Sequence, residues 1–403
     1  MSHRATQLSA IAVCLLAVTW STPAAAQQQP ESPELDCGAA VLIDPETRQI
    51  IFEKNADERL YPASLTKMMT ALLVAEAGDL QRTVMISENA AAIGETTMNL
   101  TAGEELTLEH ILMGALLSSA NDGAVACAEA VSGSVDEFVE RMNERAVELG
   151  MTNTNFANPH GLHDDDHFSS ARDLAILALQ VMGRAELRPI VRRQDAIVPW
   201  PGRSYDRKLI NRNRLLEYWS AADGIKTGYT RQAGNCLAAS AYVDGWRLIC
   251  VVMGCERKPW DEAQALLSWG FDNFFKVALV SKDLTKATVE VDGGVADVVH
   301  ARAAEDVIAI VPRGPLAEPA LRSDVVKAPV AAGDTVGSLV VTMPDGETRS
   351  VDLIAVEDVA RSPWAQVLAD HRYFVVLALL MAVAVGVLVH GAASEALGSR
   401  RTG

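Results

Sequence analysis

At about Val277 the texture of the chain changes, and this constrains the fold more than any other feature. Beyond that point short apolar runs recur at Thr288 to Val291, Val307 to Val311, Val336 to Val341 and Val351 to Val356. Turn signals separate them at Gly293-Gly294, Gly314-Pro315 and Asp345-Gly346. Such runs form strands, so 277–361 reads as a small all-β domain. Before Val277 helical and strand patterns mix. With 403 residues the chain is too long for one ordinary core. The division expected is a first domain over 27–276 and the β domain over 277–361.

Within the first region, Ala39 to Ile43 and Ile50 to Glu53 flank Asp44-Pro45-Glu46-Thr47 and predict a hairpin. Ser64 to Ala77 predicts an apolar helix ended by Gly78. Glu104 to Leu117 and Ala124 to Val131 read as helical, with a break around Ser118 to Asp122. Val135 to Leu149 is amphipathic and closes at Gly150; Asn153 to Phe168 is an irregular polar loop; Ala171 to Met182 is again helical. Gly234 to Val243 and Trp246 to Met253 flank Asp244-Gly245, a strong hairpin signal, and Glu262 to Phe275 predicts a last helix.

Both ends are apolar, which accounts for part of a mean hydropathy of +0.11. His3 and Arg4, the run Leu8 to Val18 and the small residues Ala24-Ala25-Ala26 predict a cleaved signal peptide over 1–26. Phe374 to Val389 holds no charge, and with its neighbours nears the ~20 residues of a span. A transmembrane helix is therefore expected over 374–393, after a linker over 362–373. Arg400 and Arg401 place the tail, 394–403, in the cytoplasm. The expectation is a protein of the cytoplasmic membrane with its main domain on the periplasmic side. A core helix of the β domain is the alternative for 374–393.

The net charge of −17 argues against nucleic acid as a partner, because that binding needs phosphates neutralised by Lys and Arg. Removal of the signal takes Cys14 with it and leaves Cys37, Cys127, Cys236, Cys250 and Cys255. An odd number leaves at least one unpaired. Cys127, Cys236 and Cys250 sit in apolar surroundings that suit buried thiols; the pairing stays open.

Three short motifs carry the chemistry. Ser64-Leu65-Thr66-Lys67 is S-x-x-K, Ser119-Ala120-Asn121 is S-x-N, and Lys226-Thr227-Gly228 is K-T-G. On a helix, i and i+3 share a face, so Ser64 and Lys67 are neighbours. Desolvation of Lys67 lowers its pKa and makes the amine a base. Alone, S-x-x-K reads as a capped surface helix. A second S-x-N, Ser87-Glu88-Asn89, reads as an ordinary N-cap. Ser119 and Asn121 are preferred because they interrupt an apolar helical stretch. Lys226 and Thr227 suit a terminal carboxylate, and Gly228 lets a substrate backbone approach. All three in order at domain-scale spacing outweigh chance. His160, His163, Asp164, Asp165, Asp166 and His167 resemble a metal cluster, but read as a solvated acidic loop. No metal or cofactor is expected.

Beyond the motifs, Tyr61-Pro-Ala-Ser-Leu-Thr-Lys-Met-Met-Thr70, Asn155-Phe-Ala-Asn-Pro-His-Gly-Leu162 with His167 to Ala175, Asp223-Gly-Ile-Lys-Thr-Gly-Tyr-Thr230, and Trp269-Gly270-Phe271 are similar to segments of one family. The chain resembles the serine-type D-alanyl-D-alanine carboxypeptidases, the low-molecular-mass penicillin-binding proteins. The resemblance is strong from Cys37 to Phe275 and weaker over the β region. It implies an α/β fold of the β-lactamase/transpeptidase type, with a mainly antiparallel sheet, flanking helices and a site at the sheet edge. The resemblance makes Ser64 the nucleophile, Lys67 its base and Ser119 a proton relay. It makes Asn121 the substrate amide holder and Lys226 and Thr227 the carboxylate binders. Gly228 and Tyr229 belong to the substrate strand, and the oxyanion hole is the backbone N–H of Ser64 and of Tyr229.

The implied partners are peptidoglycan stem peptides, β-lactams as covalent inhibitors, and the membrane through the C-terminal helix. The implied reaction removes the terminal D-Ala of stem pentapeptides. Alternatives are a D,D-endopeptidase on cross-links, a serine β-lactamase and a non-catalytic penicillin sensor or scaffold. Against a β-lactamase, Asn153 to Phe168 lacks an E-x-x-L-N-like segment. Two departures stand out: Ala120 where many relatives have Gly, and an apolar C-terminal segment where many have an amphipathic helix. The β domain is expected to act as a stalk above the membrane.

Overall fold

A computed structural model describes residues 30–314, 319–364, 374, 376–385 and 387. The chain begins with the strands β1 (Ala39–Ile43) and β2 (Ile50–Lys54), then a 3-10 turn (Ala63–Thr66) running into α1 (Lys67–Ala77). Next come β3 (Thr83–Met85), α2 (Glu88–Ala92), β4 (Glu105–Thr107), α3 (Leu108–Met113) and a π-helical turn (Gly114–Ser118). Four helices follow, α4 (Asn121–Ser132), α5 (Val135–Glu148), α6 (Ala171–Gly183) and α7 (Arg188–Val191). The hairpin β5 (Asp195–Val198) and β6 (Arg207–Ile210) and the short α8 (Leu215–Tyr218) lead to β7 (Ala222–Thr230), β8 (Gly234–Val243) and β9 (Trp246–Cys255). After α9 (Pro259–Asn273) the rest is β: β10 (Phe274–Val280), β11 (Lys286–Asp292), β12 (Val298–Ala303), β13 (Val307–Pro312), β14 (Ala320–Arg322), β15 (Val326–Lys327), β16 (Thr335–Thr342) and β17 (Thr348–Ala355).

The main sheet has the order β2-β1-β9-β8-β7, antiparallel throughout. Its strands are apolar on both sides because both faces are covered. Ala39, Val41, Cys236, Ala238, Ile249, Val251 and Met253 pack into one core with α1, α3, α4, α5 and α6. The alternate residues Ala40, Leu42, Leu237, Ala239, Leu248, Cys250 and Val252 pack into another with Ala263, Leu266 and Leu267 of α9. Period-two alternation thus feeds two cores from one set of strands. A disulfide joins Cys37, before β1, to Cys255, at the end of β9, while Cys127, Cys236 and Cys250 are buried free thiols.

The second part is a six-stranded sheet of order β14-β16-β17-β12-β11-β15, with a β10-β13 ribbon beside it. Its core is mainly valine, among them Val289, Val299, Val307, Val336, Val341 and Val351. Gln49 ties the parts together: its Nε2 donates to Ile310 O at 2.7 Å and its Oε1 accepts from Ile310 N at 2.9 Å. Lys276 pairs with Glu46, and Arg313 Nε donates to Asp272 O at 2.8 Å.

Three expectations are corrected. The predicted membrane helix over 374–393 is not found: among the described residues no helix is long and apolar enough to cross a membrane. Among the described residues the fold is therefore an α/β part followed by a β part, with no spanning helix. The membrane falls away as a partner through that helix. The location in the cytoplasmic membrane, with the domain held on its periplasmic side, loses its footing, and with it the stalk. The predicted signal peptide (1–26), residues 365–373 of the linker, residues 375, 386 and 388–393 of the expected helix and the tail (394–403) lie outside the described residues.

Candidate active site

Ser64 sits, half-buried, on the 3-10 turn that enters α1. The turn is held from within and without. Thr66 Oγ1 donates to Ala63 O at 2.8 Å, and Ala63 itself has φ +47°. The loop after α5 lies directly on this turn: a Cβ at Gly161 would come within 1.8 Å of Ala63 O, so only glycine fits there. His167 completes the support. Its Nδ1 accepts from Ala157 N at 3.0 Å, which leaves the proton on Nε2 to donate to Thr66 Oγ1 at 2.7 Å.

Lys67, the first residue of α1, is fully buried. Its Nζ is 3.0 Å from Ser64 Oγ and donates to Asn121 Oδ1 at 2.8 Å and His160 O at 2.7 Å. Burial drives its pKa well below the ordinary lysine value, and the charge of Lys226 adds to the shift. Burial also lowers His160 to about 3 and His167 to about 4, so both rings are neutral near pH 7.

Ser119 follows the π-helical turn in a left-handed conformation, φ +64°. That kink ends the apolar helix and turns the Ser119 hydroxyl toward β7. Lys226 Nζ donates to Ser119 Oγ at 3.0 Å and to Thr227 O at 2.9 Å. Lys226 is buried, and burial, then Arg212, lowers its pKa to about 7. Asn121 opens α4; its amide Nδ2 donates to Gly94 O at 3.2 Å and its backbone N to Thr96 O at 2.7 Å.

β7 is the edge strand of the main sheet. Thr227 is half-buried and Tyr229 exposed. Gly228 lies against the nucleophile turn. A Cβ there would lie 3.0 Å from Ser64 N and 3.1 Å from Pro62 O, so its missing side chain admits the Ser64 turn itself. The structure thus brings Ser64, Lys67, Ser119, Asn121, Lys226, Thr227 and Gly228 to one place, where the α1 turn, the break before α4 and the edge strand meet.

Ser87 caps α2 by accepting from Ala90 N, as an ordinary N-cap does. Among the described residues no group of three or more His, Cys, Asp and Glu is arranged to hold a metal ion. Two site residues escaped the sequence reading. Asp122 accepts from Met98 N and Leu100 N, both at 3.0 Å, and so ties the 94–100 segment to α4. Arg212 donates to Ser118 O at 2.9 Å, and its charge lowers both Lys67 and Lys226. An Asp beside the S-x-N motif in an otherwise apolar stretch was the available signal for the first. Arg257 pairs with Asp36 at 3.2 Å on the surface.

The family model "D-alanyl-D-alanine carboxypeptidase" matches residues 25–257, and "Penicillin-binding protein 5, C-terminal domain" matches 274–361. The chain is 34% identical to D-alanyl-D-alanine carboxypeptidase DacF of Bacillus subtilis, over 87% of this chain and 93% of that one. It is 35% identical to DacC of Escherichia coli, over 84% and 88%. Among solved structures, DacD from Francisella tularensis aligns with a TM-score of 0.69 at 29% identity, covering 83% of this chain and 96% of that chain. Penicillin-binding protein 5 from Haemophilus influenzae aligns with a TM-score of 0.66 at 33% identity, covering 82% and 99%. The motif trio, the geometry that unites it and these matches lead to one statement: the chain belongs to the serine-type D-alanyl-D-alanine carboxypeptidase family.

Proposed function

We propose that this D,D-carboxypeptidase works through an acyl-enzyme on Ser64, with Lys67 as the base that activates it. One observation carries the reading. A neutral lysine amine has two N–H bonds and one lone pair. Two of the three partners of Lys67 Nζ, Asn121 Oδ1 and His160 O, are carbonyl oxygens with no proton to give. They take the two N–H bonds and leave the lone pair facing Ser64 Oγ at 3.0 Å. Burial favours the neutral amine that this requires.

In the steps that follow, Ser64 Oγ attacks the carbonyl of the penultimate D-Ala and its proton passes to Lys67 Nζ. The backbone N–H of Ser64 and of Tyr229 stabilise the oxyanion, a contribution of ~2.7–4 kcal/mol per donor in acyl-transfer enzymes. The proton reaches the departing D-Ala amine through Ser119, whose Oγ accepts from Lys226 Nζ. Lys226 and Thr227 hold the terminal carboxylate, and Asn121 holds a substrate amide. Water then attacks the ester carbonyl, and the shortened stem peptide leaves as Ser64 regains its proton. β-Lactams enter by the same attack. This chemistry belongs to 27–276; the β part, 277–361, has its own core and supplies none of these residues.

The test is release of D-Ala from diacetyl-Lys-D-Ala-D-Ala by wild type and by Lys67→Arg. The guanidinium stays charged, so Lys67→Arg should lose at least ~10³-fold in kcat/KM. Activity within ~10-fold of wild type would refute Lys67 as the base.

A further inference from the structure

The cleft carries opposite charges. Arg212 and Lys226 make one part cationic, which suits a terminal carboxylate. Glu95 supplies the other sign. It is exposed and takes part in no hydrogen bond or ion pair among the described residues. Its place is fixed closely. Gly94 O, on one side of it, accepts from Asn121 Nδ2, and Thr96 O, on the other, accepts from Asn121 N. The Met98 and Leu100 amides of the same segment are fixed on Asp122. Glu95 itself has φ +64°, a conformation few residues other than glycine adopt. The backbone there is thus strained, and it is strained around a bare carboxylate at the rim of the site. Its charge is felt by Lys67.

We propose that Glu95 is a specificity residue that receives the ammonium group on the side chain of the third stem-peptide residue, so that the enzyme prefers stem peptides whose diamino acid has a free amine. The proposal rests on the carboxypeptidase reading above. A stem peptide has a carboxylate at its end and, two residues before the terminal dipeptide's last member, a side-chain ammonium. Held with its carboxylate at Lys226 and Thr227 and its reacting carbonyl at Ser64, it presents that ammonium beyond the Asn121 side of the cleft. No charge other than that of Glu95 is then needed to meet it. The site is open to water, so the expected gain is modest.

The experiment compares kcat/KM for two peptides, Nα-acetyl-Lys-D-Ala-D-Ala with a free ε-amine and its diacetyl counterpart, in wild type, Glu95→Gln and Glu95→Asp. The readout is the ratio of the two within each enzyme. Any effect of Glu95 on the pKa of Lys67 acts on both peptides and cancels. Wild type should favour the free amine about 3- to 10-fold at low salt, less at 0.5 M NaCl. Glu95→Gln should bring the ratio near one, and Glu95→Asp should keep part of it. A wild-type ratio near one, or an unchanged ratio in Glu95→Gln, would overturn the role of Glu95 alone. Failure of wild type to release D-Ala from either peptide would instead sink the carboxypeptidase reading.

Discussion

Lys67 Nζ lies 3.0 Å from Ser64 Oγ, and its remaining contacts are two carbonyl oxygens that can only accept. In the proposed mechanism this pairing makes the amine's lone pair available to one hydroxyl. It also ties the activity to the protonation of two buried lysines with different tasks.

The pH dependence follows from their signs. The proposed mechanism requires a neutral Lys67, and burial holds its pKa well below the ordinary lysine value, so kcat should not need strongly alkaline pH. The same mechanism has a charged Lys226 hold the substrate carboxylate, and with its pKa lowered to about 7 that charge is present below pH 7 and lost above. KM for a peptide ending in D-Ala-D-Ala should therefore rise several-fold from pH 7 to 9 while kcat holds. Steady-state kinetics over that range would show it; a flat KM up to pH 9 would contradict it.

Gly228→Ala tests the contact between β7 and the Ser64 turn. The new methyl would meet Ser64 N at 3.0 Å and Pro62 O at 3.1 Å, and backbone atoms cannot yield as a flexible side chain does. A displaced nucleophile loses its alignment with the oxyanion donors. Acylation by penicillin should slow by about 10- to 100-fold with little change in melting temperature. Unaltered acylation would show that the spacing has no bearing on the reaction.

A buried ion pair braces the segment carrying Glu95. Arg207 Nη2 donates to Glu104 Oε1 at 2.9 Å and to Asn99 O at 3.2 Å, with side chains 4% and 1% exposed for Arg207 and Glu104. Arg207→Met leaves the Glu104 charge buried alone and should cost ~3–5 kcal/mol in urea unfolding. The double variant Glu104→Leu with Arg207→Met should cost clearly less. Equal losses would mean that the shape of the site, not the stranded charge, governs stability.

How far these features were legible depended on where their partners lie. The β1–β2 and β8–β9 hairpins were readable because turn and alternation are local, and the strands fall at Ala39–Ile43, Ile50–Lys54, Gly234–Val243 and Trp246–Cys255. The stretch Glu104 to Leu117 looked helical throughout, yet Glu105–Thr107 is a strand. There, pairing with Thr83–Met85 overrides local pattern. Asp122 was missed because its partners lie 22 and 24 residues back in the chain. Arg212 reaches the site only through the path from β6 to β7, which no spacing reveals. At the C-terminus apolarity was visible and a membrane span was expected from it, but among the described residues no helix is long and apolar enough to cross a membrane.

The most direct test is mass spectrometry of the purified protein after penicillin, and separately after diacetyl-Lys-D-Ala-D-Ala, with Ser64→Ala beside wild type. The account predicts a stable penicillin adduct that maps to Ser64 and release of D-Ala, both absent in Ser64→Ala. An adduct on any other residue, or D-Ala release that survives the loss of Ser64, would contradict it.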